Sequence, residues 1–389
     1  QQALDADVEA LVKALGPRNI AVVSGHIFRG AELDAAAQAK TEAAIRTRAE
    51  ALMREHNIGV VYGALAAGSD IIFAEAALAR GSELCCVLPF STEAFVRTSV
   101  QIGDPPDAPG KWEKRFRAIL EGHRGACSLT IMDPVEPAER DLDSYFFYAF
   151  RYAAGLALQR AAMLQTECRL LAVADDRAPD TLAGASRAVA DWRARGRALD
   201  LIPYPHARPQ RRPEEKPADG FRPAIFLWDA ASSNGEAPLK TVAKAAPKTM
   251  ARIERTHRDG RRGLCLIAES TESALQAGLA LAGAARKAKL AVRIICDFGL
   301  VLGPRGGPDK RLIARLQGAD DLPGLPAACA LATEAFAAQA QFDLGGRISL
   351  IPVGRADISA AGEEGPQAGR SRPSLPIFTA SLAGSVAKI

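Results

Sequence analysis

An alternation leaves this sequence few folds to choose from: short β-branched runs ending in small residues take turns with long stretches of helix-forming residues. Asn19-Ile20-Ala21-Val22-Val23-Ser24-Gly25-His26 is such a run, the pattern of a buried parallel strand handing over to a loop. Glu32 to His56 is alanine-rich, contains no Gly or Pro, and predicts a helix. Ile58-Gly59-Val60-Val61-Tyr62-Gly63 repeats the strand signal; Ala64 to Asp70 is small and flexible; Ile71 to Arg80 predicts a second helix, stopped by Gly81. Glu83 to Pro89, Cys127 to Met132, Arg169 to Ala174 and Leu199 to Pro203 read as further strands, with helices at Ser144 to Leu164 and Ala183 to Gly196. Elements of these lengths in this order imply right-handed βαβ units and a parallel, doubly wound sheet. Gln101 to Lys111, rich in Pro and Gly, predicts a loop near the strand ends.

A chain of 389 residues exceeds one compact core and fits two domains. His206 to Asp219 is rich in Pro, Arg and Glu and almost without apolar side chains, the composition of an exposed linker. The expected organisation is α/β throughout: a Rossmann-like parallel-sheet domain over 1–205, a linker over 206–219, and a second domain over 220–389. In the second, Pro223 to Trp228, Gly263 to Ala268, Ala291 to Cys296 and Arg347 to Val353 read as strands. Helices are expected near Leu239 to Arg255, Ser273 to Lys289 and Leu325 to Gln339, and the set suggests a ferredoxin-like α/β sandwich. Ala360 to Ser374 reads as a mobile loop.

The formal charge of +4 is small for this length, and basic and acidic residues are mixed. That argues against a nucleic-acid partner. Arg208-Pro209-Gln210-Arg211-Arg212 is a basic exception, but its prolines and the adjacent Glu214-Glu215 read as solvated linker. The seven cysteines have no C-x-x-C spacing, and free thiols in a reducing cytoplasm fit them best. No apolar run approaches the roughly 18 residues of a membrane span, so a cytoplasmic protein without a membrane partner is expected. A chain that starts with Gln1 leaves room for a preceding domain.

In an open parallel sheet, ligands bind at the carboxyl ends of the strands. Two predicted loops lie there. Ser24, Gly25 and His26 follow the first strand, and Gly63 to Asp70 joins the second to its helix. Small residues let the backbone approach a phosphate or ribose; Ser69 or Asp70 could cap the helix, or Asp70 could accept hydrogen bonds from ribose hydroxyls. A Gly-rich turn of this kind is equally consistent with tight packing. His26 could contact a phosphate, and its spacing to His123, His206 and His257 suggests no metal.

The string Gly63-Ala-Leu-Ala-Ala-Gly68-Ser-Asp70-Ile-Ile-Phe-Ala-Glu75-Ala-Ala-Leu-Ala-Arg-Gly81, followed by Val87-Leu88-Pro89-Phe90, resembles the SLOG superfamily, and above all its nucleotide-sensing domains in bacterial signalling proteins. Tyr152-Ala-Ala-Gly155-Leu-Ala-Leu and Ala190-Asp-Trp192-Arg-Ala-Arg-Gly196 extend the likeness. The resemblance implies a nucleotide-type ligand held by Ser24, Gly25, His26, Gly63, Ala67, Gly68, Ser69, Asp70, Glu75 and Pro89. The Pro-Gly-Gly loop of the hydrolytic LOG members, with its downstream Thr and Glu, is absent from the expected place. Sensing is therefore favoured over hydrolysis, with Glu75 open to two readings: a helix-surface carboxylate, or an acid-base group for glycosidic chemistry.

Arg222 to Phe378 resembles the class III adenylate/guanylate cyclase homology domain. The residues that carry the likeness include Pro223-Ala-Ile-Phe-Leu-Trp-Asp229, Val292-Arg-Ile-Ile-Cys-Asp-Phe-Gly299 and Ala332-Thr-Glu-Ala-Phe336. Such cyclases use two aspartates for two metal ions. Asp229 falls at the first position, but Arg262 falls at the second unless Asp259 replaces it by a three-residue shift, and the Asn-x-x-x-Arg pair reads Arg311-Leu-Ile-Ala-Arg315. The resemblance thus implies a pseudo-cyclase that dimerises. No cofactor is required; magnesium or manganese enters only if Asp229, Asp259 and Arg315 remain active.

Overall fold

Runs such as Ile20–Val23 and Val60–Val61 are apolar on both faces, and the strands they form are buried on both faces, as a parallel sheet covered by helices requires. The computed structural model describes residues 18–123, 125–133, 137, 142–175, 179, 183–204, 220–229, 236–256, 262–301, 312, 329–357 and 374–382. The chain divides into two compact units, Gln1–Glu215 and Lys216–Ile389.

The first unit holds a six-stranded, fully parallel Rossmann-like sheet in the order β4-β3-β2-β1-β5-β6. Its strands are β1 (Asn19–Gly25), β2 (Ile58–Gly63), β3 (Glu83–Leu88), β4 (Cys127–Ile131), β5 (Cys168–Ala174) and β6 (Leu199–Pro203). The chain runs outward from β1 to β4, then returns to place β5 on the other side of β1. This reversal makes the topological switch point, the crevice between the ends of β1 and β5.

The helices are α1 (Ala35–Glu55), α2 (Ser69–Ala79), α3 (Thr92–Phe95), α4 (Lys111–Gly122), α5 (Leu142–Leu164) and α6 (Ala185–Arg193). A π-helical turn, Val96–Val100, extends α3. Asp34 caps α1, its carboxylate accepting the Ala37 N–H at 2.7 Å, and starts the helix three residues later than its composition suggested. The helix α4 begins where the sequence reading ended its loop. Trp112, Phe116 and Ile119 bury one face of it, and the Trp112 indole N–H donates to the Gln38 side chain at 3.0 Å.

The second unit is a mixed seven-stranded sheet with helices, in the order β12-β13-β11-β10-β7-β9-β8. It runs β7 (Gly220–Asp229), α7 (Glu236–Ala243), β8 (Ala251–Thr256), β9 (Arg262–Ile267), α8 (Thr271–Lys287), β10 (Val292–Val301), β11 (Ala330–Thr333), α9 (Glu334–Leu344), β12 (Ile348–Asp357) and β13 (Ser374–Leu382). The stretch β7 to β10 is a β-α-β-β-α-β unit whose neighbours all pair antiparallel, the ferredoxin-like arrangement; β11, β13 and β12 widen it. Two expectations are corrected. The helix read as far as Arg255 ends at Ala243 and gives way to β8, and the helix read from Leu325 starts at Glu334, after β11. Of the mobile loop expected over Ala360 to Ser374, residues 360–373 lie outside the described residues, and Ser374 starts β13.

Phe226, Trp228, Ile295, Leu331 and Ile377 form the heart of this core. Asp297 is fully buried within it and accepts the Thr333 hydroxyl and the Phe298 N–H; Thr333 in turn accepts the Phe336 N–H and caps α9. No helix among the described residues is long and apolar enough to cross a membrane.

Candidate functional site

A cavity of about 810 Å³ opens over the carboxyl ends of the first unit's strands, within the size range of small-molecule sites. Its floor is the end of β1 with Ser24, Gly25 and His26, together with Gly63, Ala64, Ala66 and Asp70 from the β2-to-α2 segment, and Pro89 after β3. One wall is α5, which presents Phe146, Phe147 and Phe150, all half-buried. The first turns of α6, Tyr204 after β6, and Thr98 and Ser99 of the π-helical turn complete it. Such turns frequently mark functional sites.

Asp70 organises the floor. Its carboxylate is buried, with one oxygen accepting the Gly25 N–H at 3.1 Å and the other the Ala66 N–H at 3.3 Å. Burial pushes this carboxyl up to about 7, although the two backbone N–H groups pull the other way. His26 is buried beside it; its Nε2 accepts the Asp175 N–H at 3.3 Å and its ring meets Tyr204 edge-on at 4.9 Å. Asp175 sits just past β5, where its carboxylate accepts the hydroxyl of Ser186 in the first turn of α6, at 3.2 Å.

The sequence-predicted residues divide here. Ser24, Gly25, His26, Gly63, Asp70 and Pro89 come together around the cavity, whereas Ala67, Gly68, Ser69 and Glu75 are not in its lining. Ala67, Gly68 and Ser69 knit two loops. The Ala67 carbonyl accepts the Phe28 N–H at 3.1 Å, the Ser69 hydroxyl donates to the His26 carbonyl at 3.0 Å, and Gly68 bridges to Ile27. Gly68 has φ +92°, and a Cβ there would meet the Phe28 ring at 2.3 Å, so its role is close packing.

Glu75 faces α1 and α4 instead. Arg115 holds its carboxylate in a two-pronged contact at 2.8 and 2.7 Å, and Arg46 donates to it from α1. Burial would raise the Glu75 carboxyl, but these guanidiniums outweigh it and hold it below the usual range. Its part in stability is therefore present at neutral pH and lost as pH falls below the ordinary Glu range. The side chains are 18–31% exposed, so the network is worth less than a dry one. Glu75→Gln is expected to cost about 1–2 kcal/mol in denaturant unfolding and to leave ligand binding at the cavity unchanged.

The aromatic wall had a signal that the reading passed over: with 14 Phe, 5 Tyr and 3 Trp in the whole chain, six aromatic residues fall between Tyr145 and Tyr152. In the second unit Asp229 ends β7, and its side chain, like all of Asp259 and Arg315, lies outside the described residues. Among the described residues no cluster of three His, Cys, Asp or Glu side chains is placed to hold a metal ion.

No family model and no curated protein matches this chain. The solved structures similar to it include the following two. The X-ray structure of DNA processing protein A (DprA) from Streptococcus pneumoniae is 16% identical over 47% of this chain and 58% of that one, with a TM-score of 0.23. The crystal structure of aspartate kinase from Synechocystis is 11% identical over 94% of this chain and 83% of that one, with a TM-score of 0.21.

Proposed function

We propose that this chain is a cytoplasmic signalling protein whose first unit, as a SLOG-like domain, senses a nucleotide-derived ligand. The second unit, as a degenerate relative of the class III cyclase domains, relays that signal without turnover within a homo-oligomer. The observation that carries the reading is the cavity at the β1/β5 switch point, where open parallel sheets take up nucleotides. The half-buried rings of Phe146, Phe147 and Phe150 suit the face of a base, and Asp70 and Ser24 offer partners for sugar hydroxyls. Sensing rather than hydrolysis is favoured by the missing Pro-Gly-Gly loop and by Glu75, whose carboxylate is taken up by Arg46 and Arg115.

Thermal unfolding in the presence of a panel of nucleosides and nucleotides tests the reading. A compound at a hundred times its Kd stabilises by about 2.7 kcal/mol, a shift of a few degrees in Tm. At least one panel member should produce it, and Ala64→Trp, which fills the cavity from a half-buried floor position, should abolish it. No shift from any compound sinks the sensor.

A further inference from the structure

A phosphate docks on a parallel sheet by meeting loop N–H groups at the strand ends and the first turn of a nearby helix. In this cavity the first of these places already holds a carboxylate of the chain itself. Asp70 takes the N–H groups of Gly25 and Ala66, one from each loop that meets at the floor. At the start of α6 the cavity is lined by Gly184, Ala185 and Arg187, and the Ser186 hydroxyl is taken by Asp175, which is outside the lining.

The remaining charges on the wall reinforce this arrangement. Arg29 and Arg187 are the arginines among the described lining residues; Arg29 faces Glu32 at 4.0 Å, and Arg187 faces Asp191 at 3.4 Å with its guanidinium over the Phe147 ring. No lysine lines the cavity among the described residues, while Glu32 and Asp143 add two carboxylates. A dianion entering here would find the floor N–H groups taken and would meet carboxylates at short range.

We propose that the cavity selects an uncharged nucleoside or free base and rejects its phosphorylated forms, because the Asp70 carboxyl occupies the loop N–H groups that a phosphate would use. This rests on the sensor reading and narrows its ligand from nucleotides to their unphosphorylated relatives. The ring packs against Phe146, Phe147 and Phe150, and the lone pairs that Asp70 does not use for backbone accept donors from the sugar or base. Asp70 thus serves as a filter for charge as well as a brace for the floor.

Calorimetric titration of the full chain at pH 8, where Asp70 is ionised, decides the matter with four pairs: adenosine, guanosine, cytidine and uridine, each against its 5′-monophosphate. The expected result is one nucleoside bound at least tenfold more tightly than its monophosphate. A monophosphate bound as tightly as its nucleoside, or more so, overturns the filter and leaves the sensor standing. Binding of neither member of any pair removes both. Asp70→Asn, which keeps shape but removes charge, should narrow the preference at least threefold. An unchanged preference in the folded variant overturns the proposal. The wild-type comparison stands even where the variant fails to fold.

Discussion

Gly68→Ala is expected to lower the stability of the first unit by about 2–6 kcal/mol without removing any atom from the cavity. Two costs add at this position. The backbone sits at φ +92°, ψ −119°, a conformation that is nearly exclusive to glycine and strains any other residue by about 1–3 kcal/mol. The added methyl would also lie 2.3 Å from the Phe28 ring and 2.9 Å from the Phe28 nitrogen. Phe28 is fully buried between Trp112 and Tyr204 and has no room to retreat, so overpacking adds a further 1–3 kcal/mol or so. Gly81 provides the control. It too has a positive φ, +68°, but a Cβ there meets nothing within 4 Å, so Gly81→Ala should cost only about 1 kcal/mol. Denaturant unfolding of the two variants checks this; equal losses would mean that the loop is not wedged against Phe28.

The second large effect is on pH. Burial raises the Asp70 carboxyl from the ordinary 3.8 to about 7, so the folded protein binds this proton more tightly than the unfolded chain does. The stability that protonated Asp70 confers is fully present below about pH 4 and is lost as pH rises through 7. Three pKa units correspond to about 4 kcal/mol, of which roughly 3 kcal/mol falls between pH 5 and pH 8. Asn at this position does not titrate. The stability of the wild type minus that of Asp70→Asn should therefore fall by about that amount from pH 5 to pH 8. Subtracting the variant cancels the opposite trend of Glu42 and Glu75, whose carboxyls are held low by their arginines. A difference that stays level across this range would place Asp70 in contact with water.

The parallel sheet was legible because its inner strands β1, β2, β3 and β5 are compact apolar runs buried on both faces. The edge strands β4 and β6 are more exposed, yet each of β1 to β6 lies where the sequence placed it to within two residues or so. In the second unit β8, β11 and β13 escaped, the first two for opposite reasons. The strand β8, Ala251–Thr256, is the last in its sheet, and its sequence has Ile253 as its one large apolar residue, so it lacks the pattern of a covered strand. By contrast β11 is buried throughout but only four residues long and rich in alanine, so that locally it reads as the start of the next helix. The ferredoxin-like order survived these misreadings, because β7, β9 and β10 carry its long-range pairing.

At the cavity, legibility followed chain proximity. The floor comes from loops directly after predicted strands, so Ser24, Gly25, His26, Gly63 and Asp70 could be named from position, and Pro89 from the resemblance carried by Val87 to Phe90. The wall depends on how α5 is rotated about its axis as it crosses the sheet, which a run of six aromatics announces without saying which rings face inward. Gly68 and Ser69 share the strand-to-helix turn with Asp70, yet one residue of rotation separates a cavity group from a packing group. Only contacts distant in sequence, with Phe28 and His26, decide between them.

The hydrogen bonds that join the loops below the cavity have a thermodynamic corollary. The Phe28 N–H donates to Ala67, the Ala67 N–H to Ser99, the Gly30 N–H to Ile102, and the Gly25 N–H to Asp70. Three segments distant in sequence are thus fastened before any ligand arrives. A receptor ordered in advance surrenders little backbone entropy on binding, so even a small uncharged guest could be held firmly by a few well-placed contacts.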